Sequence, residues 1–480
     1  MYINANQFCN CSCDSDMIQS AVEEARKTGQ SVLIPKYNQR TGKDVWDISK
    51  AILLYDESVI VLQNAHLRLA DGAICNLFRN SNAKTEVGLT PEGTQKNIRI
   101  QGIGTAVLDG GIHNGLYEAN GISRTKSKGT EHVTENCMMF FQNTQGMVIE
   151  NITVKNHRYW GICFYTSSFG RISNVHFHSD GNVPNQDGID ILKGCHDFII
   201  ENITGCTGDN LIAICAIDGN TYPMLEDIGQ QDIYNISVKN IMGYSVNGCS
   251  LLRLLNHDGH KLYQITVDGI TETSPWSDTD SPVAPNPDLR IFTDEEGNPL
   301  PFEKIVLGEE GYRMEAAVII GESYWYKNSQ AKHGDTWGVS VSNVTTHARF
   351  GVWINNTLTD SVFDNIRLFG NGYMAVYFGE GQVENVRFSN LFYHQDCKPL
   401  KEDEHIFIEW NNTRADGYSC VYFNETKVKD VSFSGLSCPC QFSSVFGGLG
   451  QGSITAKNIS CPNISVEKGV DGVKIDSVRE

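Results

Sequence analysis

The chain has 480 residues and a mass of 53.3 kDa, and its 40% apolar and 20% charged residues exclude both a disordered polymer and a membrane-embedded one. With 38 basic against 57 acidic residues the formal charge is −19, which argues against a nucleic-acid partner, because phosphate binding needs a basic footprint. Glycine numbers 45, proline 13 and asparagine 40, a composition suited to a chain that turns very often.

The N-terminus, MYINANQFCN, has neither a basic n-region nor an apolar h-region, and no stretch reaches the roughly 18 apolar residues of a membrane span. A cytoplasmic location with no membrane partner is the expectation, with secretion as the alternative if a leader has been removed. Fifteen cysteines at irregular spacing are unlike a secreted disulfide framework, so buried free thiols are expected. Cys9, Cys11 and Cys13 lack the CxxC pairing of zinc sites, and neither a metal nor another cofactor is expected. The first strong element is a helix over Asp16–Lys27, inside an N-terminal cap of residues 14–30. Asp16 is placed as its cap, Gln19 as the closing residue of a capping box and Gly29 as its stop, with Ile18, Ala21, Val22 and Ala25 on one face.

Short β-branched runs follow: SVLIPKY, AILLY, VIVLQ and LRLADGAI. From about residue 97 one phrase recurs, Asn followed by Ile or Val, at Asn97, Asn151, Asn174, Asn202, Asn235, Asn343, Asn365, Asn385 and Asn458, with echoes at Gln264 and Asp430. A period near 22 with short strands and no intervening helices predicts a parallel β-solenoid. Inward Ile and Val would stack on their counterparts one coil away, and the Asn would turn the corner in the left-handed conformation while its amide bonds to the next. The chain reads as one domain over 1–480, with the helix covering the exposed N-terminal end. Loop insertions are expected at 111–136 and 272–336, where they would wall a groove.

The densest polar signal lies on consecutive coils, NVPNQDGIDILKGC (182–195) and CTGDNLIAICA (206–216). Asp187 and Asp209 stand 22 residues apart, one coil in register, so they are expected on one face, with Asp190 and Asn210 beside them. Two carboxylates about 5–9.5 Å apart can divide the work of glycoside hydrolysis, one protonated for the leaving oxygen and one ionised to activate water. Like charges at that distance favour the split by raising one proton affinity. Aspartates that merely turn corners explain the same spacing.

The surrounding text, MFFQNTQGMVIENITVKNHRYWGICFYTSSFGRISNVHFHSDGNVPNQDGIDI, resembles glycoside hydrolase family 28, the polygalacturonase group. The family's Asn-Thr-Asp-Gly motif stands here as Asn185-Gln186-Asp187-Gly188. Its Gly-Asp-Asp and following Ile-Ala-Ile strand stand as Gly208-Asp209-Asn210-Leu211-Ile212-Ala213-Ile214. The likeness covers roughly residues 14–270. It implies an all-β fold, a right-handed parallel β-helix with an N-terminal capping helix, and an inverting hydrolase acting on a carbohydrate. Asp209 would then match the general acid and Asp187 a carboxylate that activates water. Asn210 replaces the second such carboxylate, and an amide cannot accept the proton. The family's Gly-His-Gly turn aligns with Val246-Asn247-Gly248, so its His is absent. The Arg-Ile-Lys motif that binds substrate carboxylates has no clear counterpart, and Arg253 is the nearest basic residue. These losses point away from plain galacturonan, because a polyuronate needs cationic anchors. His257 and His260 are further candidates, and Tyr159, Trp160 and Trp325, within Tyr324-Trp325-Tyr326, are candidates for stacking on sugar faces, although such rings also fill solenoid cores. Two other classes share the scaffold: a β-helix lyase, epimerase or glycosyl-transferring enzyme, and a non-catalytic glycan binder.

Overall fold

The computed structural model describes residues 1–73, 75–111, 137–157, 159–179, 181, 185–216, 231–257, 259–275, 314–321, 331–370, 372–395, 406–407, 414–415, 417–440, 443–462 and 464–478. They form a right-handed parallel β-helix with one α-helix at its N-terminal end. Through the middle of the stack strands pair in parallel with the second strand after them, two strands to a coil, whereas Phe350–Gly370, Met374–Gln395, Tyr418–Ser437 and Ser443–Lys457 are long strands that pair each with the next. One face is built by Ile162–Tyr165, Ile189–Leu192, Ile212–Ala216, Ser250–Asn256 and Ala316–Gly321, in that order. The last of these lies inside the expected 272–336 insertion, so that segment includes a true rung of the solenoid rather than loop alone.

Inward positions stack apolar side chains coil upon coil. Ile189 sits between Ile162 and Ile212, and Ile191 between Phe164 and Ile214. All are fully buried, worth about 1.5–3 kcal/mol each. Alternate residues of the same strands point outward and form a second row in register: Cys163, Asp190, Ala213, Arg253, Ile319, Trp353 and Tyr377.

The recurring Asn has the predicted backbone at every occurrence, with φ from 53° at Asn365 to 60° at Asn343, and Gln264 and Asp430 adopt the same conformation at 55°. The amide ladder forms as well. Asn174 Nδ2 donates to Asn151 Oδ1 at 3.0 Å and Asn202 Nδ2 to Asn174 Oδ1 at 3.0 Å. The next rung is Asn240, not Asn235: Asn240 donates to Asn202, whereas Asn235 joins Asp197 at a second corner. Two corners per coil, each wanting a left-handed residue, blur into one repeat when read along the sequence.

The capping helix spans Asp14–Thr28, beginning earlier than expected. Cys13 is its N-cap and offers no side-chain bond, while Asp16 lies inside the first turn, accepting from Ser12 Oγ and Lys50 Nζ. Gln19 reaches across to the Leu53 backbone instead of closing a capping box. The stop is as expected, with Gly29 left-handed at φ 65°, and so is the buried face of Ile18, Ala21, Val22 and Ala25. Thirteen described cysteines are free thiols, while Cys440 is disulfide-bonded.

Candidate active site

The site forms where the outward-turned strands begin. Hydrogen bonds from Gly188 N to Asn210 O and from Leu211 N to Ser250 O carry the parallel ladder through this corner. The strand register Ile189–Ile212 is a step of 23 residues, not 22, so Asp187 lies against Asn210 and Asp209 is displaced by one position toward the rim. Gly188 has a physical reason to follow Asp187: a Cβ there would meet Leu211 O at 2.5 Å.

The displacement does not separate the carboxylates, because Asn210 joins them. Its Nδ2 donates to Asp187 Oδ1 at 2.9 Å and to Asp209 Oδ1 at 2.8 Å. Its Oδ1 accepts from Ser250 Oγ at 2.6 Å, which fixes the amide's orientation. Two acceptors sharing one donor at these lengths lie under about 6 Å apart. Asn210 N also donates to Asp209 Oδ1 at 2.9 Å, and Thr207 Oγ1 to Asp209 O at 2.7 Å, so the turn is held at both ends.

The two aspartates differ in access. Asp187 is buried at 4% exposure, whereas Asp209 is half-buried at the rim. Burial first, and then the nearby charge of Asp209, pushes the Asp187 carboxyl well above the usual range, against the opposing effects of the Asn210 hydrogen bond and the Arg253 charge. Arg253 stands two rungs from Asp190 in the outward row, half-buried, with a buried Nη2 that has no hydrogen-bond partner. It acts on Asp187 through its charge rather than as a hydrogen-bonded ion pair.

Asp190 projects outward from its strand into an apolar setting, 2% exposed and with Oδ2 buried and unpartnered. Burial, then the charge of Asp187, raises its proton affinity strongly. A carboxyl held protonated in the folded state contributes fully below the ordinary carboxylate range, and its contribution is lost as pH rises through the raised value. Asp190→Leu removes this group, so it is expected to stabilise the protein by about 1–3 kcal/mol near pH 8 and by less near pH 4. Calorimetry at the two pH values checks this. An equal gain at both would contradict the burial of an ionisable group there.

Tyr159 and Trp160 pack together with ring centroids 4.8 Å apart, buried in a cluster with Phe140, Tyr165, Leu192 and Leu255. Neither offers a ring face to solvent, so their position is that of packing beneath the site. Asn247 is buried and donates to Gly181 O at 3.4 Å. His257 is buried, its backbone N–H on Ala216 O, and His260 is partly exposed on the same turn. Trp325, like Tyr324 and Tyr326, lies outside the described residues.

Sequence reasoning missed Ser250, Cys249 and Glu315. The Cys249 thiol lies against the Asp209 carboxylate, so the neighbour of Asp209 in the next coil is Cys249, two residues beyond Asn247. The signal for Ser250 and Cys249 was their place one coil after Asn210 and Asp209, hidden because that coil is 40 residues long instead of 23.

No protein-family model matches the chain. Among solved structures it is similar to a hyperthermoactive exopolygalacturonase from Thermotoga maritima, at 14% identity and a TM-score of 0.50, covering 96% of this chain and 91% of that one. It is also similar to the tailspike protein of E. coli bacteriophage HK620, a mutant solved with a hexasaccharide, at 12% identity and a TM-score of 0.54, covering 97% of this chain and 74% of that one. At such identities the likeness establishes a shared parallel β-helix fold.

Proposed function

We propose that the protein is a glycoside hydrolase related to family 28, cleaving a glycosidic bond in an oligo- or polysaccharide with inversion. The observation that carries this reading is the Asn210 amide bonded to Asp187 and Asp209 at once. Two carboxyls this close do not both ionise readily, so the pair retains one proton. Asp209, the half-exposed member, delivers it to the leaving oxygen. Asp187, beneath the amide, keeps the proton affinity of the pair high and is the resting place of the proton before substrate covers Asp209. Asn210 orients both, and Ser250 orients Asn210.

The substrate is a carbohydrate other than plain galacturonan. A polyuronate carries a carboxylate on every residue and needs cationic anchors, whereas the cation whose charge acts on Asp187 is the half-buried Arg253, set against the charge of Asp209. The test is product analysis with galacturonan, rhamnogalacturonan, xylogalacturonan, arabinan and bacterial O-antigen polysaccharide. New reducing ends without ultraviolet-absorbing unsaturated sugars, and a first product of inverted anomeric configuration by NMR, are the expected result. Unsaturated products would replace hydrolysis by β-elimination. Glycan binding without turnover would make the protein a binder.

A further inference from the structure

We propose that Glu315 is the general base of the reaction, working two coils along the rim from Asp209; this rests on the hydrolase reading above. That reading leaves a gap. Water must lose a proton as it attacks, and Asn210 has no basicity to accept it. Asp187 lies beneath Asn210 at 4% exposure and, as the holder of the pair's proton, is not free to accept another. A solvent-accessible carboxylate is needed on the same rim.

The coil stack supplies one. Asp209 neighbours Cys249 in the next coil, and Glu315 follows in the coil after that, its backbone N–H on Gly248 O at 2.7 Å and Cys249 O at 3.2 Å. Asp209, Cys249 and Glu315 are each half-buried, while the residues that follow them, Asn210, Ser250 and Ala316, are buried. The three therefore form a rim strip above a closed floor. Both carboxylates act on the thiol between them: after burial, the charges of Asp209 and Glu315 push the Cys249 thiol up, so it stays a neutral spacer.

Distance decides the role. Two coil spacings place the Asp209 and Glu315 backbones about 9.6 Å apart. An acid and a base with a water between them need carboxyls about 6.5–9.5 Å apart, a span that side chains leaning toward the common neighbour reach. The Oδ1 atoms of Asp187 and Asp209, which share the Asn210 donor, lie under about 6 Å apart, shorter than that span. In the step, the water oxygen bonds to the anomeric carbon as the glycosidic C–O bond breaks. Glu315 takes the proton released by the water, and the leaving oxygen takes the proton of Asp209. One proton enters the pair and one leaves it, so the site is reset when Glu315 and Asp209 exchange protons with solvent.

The test uses the full chain and the polysaccharide the wild type cleaves. Glu315→Ala is expected to lower kcat by about 10²–10⁴-fold, with thermal unfolding checking the fold and Glu315→Asp retaining part of the rate. Sodium azide separates catalysis from support, since azide attacks without a proton to lose. It should restore turnover in Glu315→Ala and yield a glycosyl azide of inverted configuration. Slow turnover with no azide product would make Glu315 structural, and a rate within tenfold of wild type would remove it from the reaction. Either outcome overturns the assignment while leaving a cleaving wild type, and so the hydrolase reading, intact. A wild type silent on every polysaccharide overturns that reading and this base with it.

Discussion

Asp209→Asn is expected to lower kcat on the polysaccharide by about 10³–10⁴-fold, near the upper range for loss of a positioned acid. The amide keeps the shape of the side chain and can still meet the Asn210 N–H through its oxygen, so the fold should persist. What disappears is the proton for the leaving sugar. An activated leaving group needs no proton, so a 4-nitrophenyl glycoside of the cleaved sugar should lose far less rate than the polysaccharide. That contrast separates acid catalysis from general damage, which would slow both equally.

Asp187→Asn gives the complementary result. Asp187 is buried, shares the Asn210 donor with Asp209, and has its carboxyl pushed well above the usual range by burial and then by the charge of Asp209, so it holds the proton of the pair. An amide there cannot hold that proton, and the alkaline limb of the pH–rate profile should move to lower pH. The limb moves down because the group that keeps its proton to high pH is the one removed. Wild-type profiles for both variants would withdraw the pair from the chemistry.

The solenoid was legible in the sequence because one requirement repeats with little else attached. Each corner needs a left-handed residue, Asn meets it at low cost, and the next residue must be apolar and point inward. Asn151, Asn174 and Asn202 show this directly, all left-handed and joined by their amides. The site was legible only in part, because its register is set by backbone pairing and not by motif spacing. Counting motif to motif gave 22 residues between Asp187 and Asp209, whereas the ladder steps by 23 and puts Asn210 over Asp187. Beyond that coil the insertions vary in length, so no period leads from Asp209 to Cys249 or from Cys249 to Glu315. The helix start shows the same limit at small scale. Asp16 looked like a cap, but Asp14 is drawn inward by Arg40 and the Asp47 backbone, and the helix begins there.

Phe388→Ala is expected to cost about 3–5 kcal/mol, the usual range for deleting a buried phenyl ring. The ring is 1% exposed and stacked between Phe363, at 4.7 Å and 11°, and Phe433, at 5.0 Å and 13°, with Phe378 edge-on at 5.6 Å. These rings come from three successive coils paired in register, so one cavity weakens both of the interfaces that Phe388 fills. In a solenoid each coil rests on its neighbours, and loss at one rung spreads by nearest-neighbour contact. Hydrogen exchange should therefore accelerate most over Phe350–Ser437 and least over the coils of Asp187 and Asp209. Turnover at 25 °C should stay near wild type, because Asp187, Asn210, Asp209 and Ser250 are held by bonds among the coils before Phe350. A uniform rise in exchange along the whole stack, with activity falling in step, would mean that the coils unfold as one cooperative unit. The site's geometry would then depend on C-terminal packing, which meets it where Phe350 N donates to Glu315 O at 2.8 Å.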